Sequence, residues 1–159
     1  MRERLAERVG AAAYGSILVL TSLALMRASD LVARHSIEVV VGVGAATWIA
    51  HLFAELLAEH VRRDEPLAWT QVGHAARDGS PILMVTVLPA LALLVGSADV
   101  LADETALTLA IIVALAQLSL IGAVVGHFSP ANTASAWTFA AIVAIAGVVV
   151  VALEVALSH

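Results

Sequence analysis

Apolar residues fill this chain in long blocks separated by short polar intervals, and the block lengths set the architecture. Runs over about 9–26, 37–61, 81–96, 105–126 and 133–157 approach or exceed the ~20 residues that a helix needs to cross a bilayer. The pattern predicts an all-α fold: a polytopic transmembrane bundle of five membrane-spanning helices, with 1–159 forming a single transmembrane domain. Residues 66–78 read differently. Trp69, Val72 and Ala76 fall on one side of a helix there and Thr70, His74 and Arg77 on another, which predicts a short amphipathic helix on the membrane surface with Trp69 at headgroup depth. Pro66, behind Glu65, suits its first turn, and a plain solvated loop is the alternative. The first run reads as a retained span. It is long for the apolar region of a signal peptide, and Arg27 follows it without a small-x-small cleavage site.

The punctuation supports these boundaries. Ser80-Pro81 is an N-cap followed by proline at the first helical position, and Pro89 predicts a kink midway through that span. Asp103 and Glu104 can cap the run over 105–126, in which Gly122-Ala-Val-Val-Gly126 suggests close helix packing. A turn over His127–Asn132 then leads into the last run.

The span over 37–61 is the most informative. Turning about 100° per residue from Trp48, residues Gly44, His51, Glu55, Glu59 and Arg62 fall within roughly 60° of it. The opposite side carries Gly42, Ala46, Ala50, Ala54 and Ala58 at four-residue spacing, the pattern that lets two helices approach closely in lipid. One face therefore reads as polar and the other as built for packing.

Composition sharpens the class. The chain is 61% hydrophobic and 13% charged, with mean hydropathy +0.97, whereas a soluble domain is about 45–50% apolar and about 25% charged. It contains no cysteine and no lysine, which excludes disulfides, thiolate metal sites and Schiff-base cofactors, and no cofactor is expected. A net charge of −5 leaves no basic face for a nucleic acid. The eight arginines are distributed unevenly: with the N-terminus inside, Arg2, Arg4, Arg8, Arg62, Arg63 and Arg77 lie inside, while Arg27, Arg34 and the acidic 97–104 segment lie outside. The positive-inside rule therefore selects N-in, C-out.

On that topology Arg62 marks the inner end of the second span, and Glu59, Glu55 and His51 lie about 5, 10 and 16 Å further in. Ionisable groups at such depth usually face a bundle interior or a water-filled path and mark proton or ion routes. The His51–Glu55 pair, one turn apart, forms the candidate mid-membrane site, Glu59 the inner entry and Gln117 a further pathway residue, with Glu38 and Glu154 as a candidate outer vestibule. Two other readings stand beside this one. The polar groups can be glue that satisfies neighbouring helices. Alternatively His51, Glu55 and Glu59 supply a nitrogen and two carboxylates for a divalent metal; since positions 51 and 59 are about 12 Å apart along the axis, that needs a second helix, through Gln117 or His127, or a second subunit. The chain has no G-x-S-x-G, P-loop or G-x-G-x-x-G loop, so an enzyme is not expected.

The stretch Ala50-His51-Leu52-Phe53-Ala54-Glu55-Leu56-Leu57, with Pro81-Ile82 opening the next span, resembles a group of small five-span integral membrane proteins of high-GC bacteria. That resemblance implies five helices in a bacterial inner membrane and brings no catalytic or binding residue. The expected partners are the lipid bilayer, a proton or small cation, and a second copy of the chain in a homodimer, because small-residue faces need something to pack against and closed two-fold assemblies are commonest. The leading expectation is a proton or small-cation channel or transporter. A non-enzymatic membrane scaffold and a metal-binding membrane protein are the alternatives.

Overall fold

The computed structural model describes residues 2–26, 33–63, 68–97 and 101–128, with isolated helical positions between 138 and 156. Five helices account for the continuous stretches: α1 (Arg2–Leu25), α2 (Ala33–Arg63), α3 (Trp69–Asp78), α4 (Pro81–Ser97) and α5 (Asp103–Phe128). Among the described residues there is no strand. The expected span over 133–157, with Trp137 and Glu154 in it, falls largely outside the described residues, as do Pro66 and the side chain of His127. Gly147, one of the isolated positions, is buried against Leu115 and Leu118 of α5 and Leu20 of α1.

Three helical stretches, Glu7–Leu25, His35–Arg62 and Asp103–Gly126, are long and apolar enough to cross a membrane. A fourth candidate is the pair α3 and α4, joined by a break at Gly79-Ser80 and bent by 42°. The helix expected over 66–78 is present as α3, and it leads almost directly into α4. The reason is local. Gly79 holds right-handed helical angles (φ −77°, ψ −12°), its N–H donates to Ala75 O, and Ile82 N donates back to Gly79 O at 3.0 Å, so hydrogen bonding hardly lapses. The Ser80 hydroxyl does not cap α4 but donates backwards to Arg77 O at 2.7 Å, closing the end of α3. At the start of α3, Ala68 N donates to the Gln71 side chain at 2.9 Å.

Helix α4 is the centre of the bundle, packed against α5, α2 and α1. Its buried positions, Ile82, Val85, Thr86, Pro89, Ala92 and Leu93, recur at three- and four-residue steps and define one face. Met84, Val87, Leu88, Leu91, Leu94 and Val95 are equally apolar yet exposed. The helix runs on through Pro89, which is fully buried. Small residues let the neighbours come close. A Cβ on Gly15 of α1 would press on Ile82, one on Gly44 of α2 would collide with Thr86, and one on Gly96 would collide with Ala106 of α5.

Hydroxyls inside the spans are satisfied by their own helices: Ser16 donates to Ala12 O, Thr86 to Ile82 O and Ser119 to Leu115 O, each within 2.9 Å. No water is needed for them, as hydrocarbon surroundings demand. The exterior agrees. Only 17% of the best window in α2 and 28% of that in α5 is buried inside the bundle, so most of their apolar surface faces outward, the arrangement of helices solvated by lipid. The tightest packing lies towards one end, where Val19, Leu20 and Leu23 of α1 meet Val40 of α2, Ala92 and Leu93 of α4, and Leu107, Ala110 and Ala114 of α5. The opposite end gathers the start of α1, the second half of α2, and α3.

Candidate functional site at the α1, α2 and α3 end

The second half of α2 carries its polar residues on the side that packs. Val40, Gly44 and Thr47 are buried and Trp48, His51, Glu55 and Glu59 partly buried, whereas Gly42, Ala46, Ala50, Ala54 and Ala58 are all exposed. A Cβ on Gly42 would meet nothing within 4 Å. The expected division of labour is therefore corrected within this chain: the polar face is the packing face, and the small-residue stripe points outward. The cause is the tight α2–α4 crossing at Gly44 and Thr86, which fixes the rotation of α2 and turns everything on the Gly44 side inward.

Along that face the geometry is explicit. His51 Nε2 lies 3.9 Å from Glu55 Oε2, and each side chain is 32% exposed. That distance is beyond a hydrogen bond and within an ion pair when the imidazole carries its proton. Glu55 Oε2 is itself buried and accepts no hydrogen bond from any described group, an arrangement that is costly unless a proton or counter-charge joins it. One turn further on, Glu59 is engaged with Arg62 at 3.2 Å, and Arg62 Nε also donates to Ala58 O. Above the pair, the Trp48 indole N–H donates to Ala76 O of α3 at 3.1 Å.

Two acids that the sequence pattern did not single out complete the setting. Glu7 of α1 and Asp78 of α3 lie close enough to act on the charge of Glu55, alongside His51 and Arg62. Neither stands out in the chain, because α1 and α3 supply them from positions 48 residues before and 23 residues after Glu55, at helix ends where acids are ordinary. Only the docking of three helices brings their charges within reach of Glu55.

The other expected residues lie apart. Gln117 is half-buried on α5, which packs along α4 and α1 and is not brought to the ladder. Glu38 is exposed and faces His35, 3.9 Å away, at the opposite end of α2. Glu154 lies outside the described residues. Among the described residues no group of three or more His, Asp or Glu side chains is gathered as a metal ion requires: Glu59 turns to Arg62, so His51, Glu55 and Glu59 do not converge. A groove of about 360 Å³ between α2 and α4, lined by Ile37, Val41, Leu83, Val87 and Leu91 among others, is apolar and occupies the other half of α2.

The class defined here is an all-helical bundle with an apolar perimeter and, among the described residues, three to four helices able to cross a membrane. Comparison with protein-family models, with curated proteins and with solved structures finds no match.

Proposed function

We propose that this is a multi-pass protein of the bacterial inner membrane, with five spans and an N-in, C-out orientation, that moves protons or a small cation through the His51–Glu55 pair. The observation that carries this reading is the buried Glu55 Oε2, without a hydrogen bond among the described residues, 3.9 Å from an imidazole nitrogen. A carboxylate oxygen in that position is a seat for a proton or a small cation, and His51, a third exposed, is its nearest exchange partner. The orientation draws support from the arginines: Arg8, Arg62 and Arg77 belong to segments at the same end as the site.

The test is flux in proteoliposomes loaded with a pH-sensitive dye. Wild-type protein should collapse an imposed proton or cation gradient, and the double replacement His51→Gln with Glu55→Gln should abolish that flux. Equal flux from both proteins, or none from the wild type with any cation tried, sinks the reading.

A second reading, a membrane scaffold or interaction protein, is favoured by the outward stripe Gly42, Ala46, Ala50, Ala54 and Ala58, which suits helix–helix association in lipid, including a homodimer. On that reading His51→Gln lowers thermal stability or oligomer content in detergent and no flux exists to be changed.

A further inference from the structure

The C-terminal end of α3 lies on the His51–Glu55 pair, and very little holds it there. The single buried side chain of α3 is Ala75, and Trp69 at its start is 90% exposed. The helix packs mainly on α2, with a small contact to α1. Among the described residues, a side-chain tie to α2 is the 3.1 Å bond from Trp48 Nε1 to Ala76 O. Gly79, just past its end, is buried so closely against α2 that an added Cβ would stand 3.0 Å from His51 Cδ2 and 3.3 Å from Trp48 Cδ1. The 42° bend at Gly79-Ser80 sits at the same place, between two otherwise continuous helices. A single buried side chain among the described residues, a backbone carbonyl held by one indole, and a bend at the end describe an element that can open locally while the bundle stays folded.

We propose that Trp48 is a positioning residue that holds α3 as a movable cover over the His51–Glu55 pair, so that exchange at the pair from this end of the molecule requires the Trp48–Ala76 bond to release. Gly79 is the matching half of the device: without a side chain there, the cover closes onto the imidazole with no group between them. The charged groups around the covered pair are Glu7 from α1, Asp78 from α3 and Arg62 from α2. The consequence for transport rests on the function proposed above; the cover itself does not.

Site-resolved histidine modification distinguishes the two. The full chain in proteoliposomes is treated with diethyl pyrocarbonate, and modification of His51 is read by mass spectrometry against His74, which is exposed on α3. In the wild type His51 should react more slowly than His74. Trp48→Phe keeps an aromatic ring but has no N–H, and should raise the His51:His74 ratio about fivefold, the factor that corresponds to losing one ordinary hydrogen bond. Gly79→Val, which wedges the cover open with Trp48 intact, should raise the same ratio and carries the test if Trp48→Phe does not yield folded protein. A ratio unchanged in both variants, or a wild-type His51 as reactive as His74, overturns the cover. Absence of flux in the wild type, with the labelling pattern as expected, overturns the transport reading and leaves the cover standing.

Discussion

At the scale of single residues, the contact between Gly44 and Thr86 decides the most. Thr86 satisfies its hydroxyl within α4, through Ile82 O at 2.9 Å, so its role toward α2 is steric. Gly44→Ala places a methyl group where the Thr86 side chain already stands, and overpacking of this kind costs about 1–3 kcal/mol. Combining it with Thr86→Ala should recover most of that loss, because the second change vacates the space the first one needs. Thermal unfolding of the four members of the cycle in detergent measures the coupling. The residue scale also shows what the sequence contained. A helical wheel groups Gly44, Trp48, His51, Glu55 and Glu59 correctly on one face. It does not tell which face packs within the chain, because lipid is as apolar as a protein core and the usual sign of amphipathicity, apolar side inward, loses its meaning in a membrane. Volume complementarity at Gly44 and Thr86 settles the rotation, and that is a property of two helices which no single stretch displays.

At the scale of the element, the helices were legible and their endings were not. Spans over 81–96 and 105–126 become α4 over Pro81–Ser97 and α5 over Asp103–Phe128, since length and hydropathy fix a membrane helix to within a few residues. Ser80-Pro81 marked a start correctly, yet the serine hydroxyl serves the end of the preceding helix. The reason is competition for one side chain between two helix ends only two residues apart. The exposed stripe of α2 gives this scale its experiment. Ala46→Leu with Ala50→Leu adds bulk where nothing in the chain packs, so the unfolding midpoint of the monomer should shift by no more than the ~0.5 kcal/mol typical of surface changes. If two copies associate through this face, the same double variant should run as a monomer on size-exclusion chromatography. In the core, by contrast, Leu23→Ala removes a fully buried side chain, and should cost about 2 kcal/mol or more. Leu25→Ala, at a position 54% exposed, should cost much less. Comparing the two by thermal unfolding separates interior packing from perimeter solvation.

At the scale of the whole molecule, the bundle has two unlike ends. Towards one lies the core of leucine, valine and alanine from four helices, with His35, Glu38, Asp103 and Glu104 near the starts of α2 and α5, and the other carries the His51–Glu55 pair with α3 packed on α2 beside it. The bent α3–α4 pair determines how these ends relate to the two faces of a membrane. If the pair crosses as one broken span, residues 68 and 102 lie on opposite faces; a re-entrant loop returns them to the same face. Since the chain has no native cysteine, Ala68→Cys and Ala102→Cys, both at exposed positions, can be labelled one at a time in intact cells with a membrane-impermeant maleimide. The N-in orientation with the pair crossing as one span gives labelling at 102 and protection at 68; with a re-entrant loop both are protected. The polarity of the ends could be anticipated from the arginine distribution. The meeting of Glu7 and Asp78 with Glu55 could not, since it depends on which helices are neighbours.

The lengths of the helices carry one more consequence. The apolar stretch of α2 covers 28 residues, about 42 Å as a straight helix, while α4 has 17, about 25 Å. A hydrocarbon layer near 30 Å thick cannot match both. In such a layer the long helix must lean or protrude, and the short one reaches across only with the help of α3 or of thinner lipid. The depth of the imidazole and its carboxylate therefore follows the acyl chains of the host membrane: longer lipids draw the pair into oil, and shorter ones leave it at the waterline.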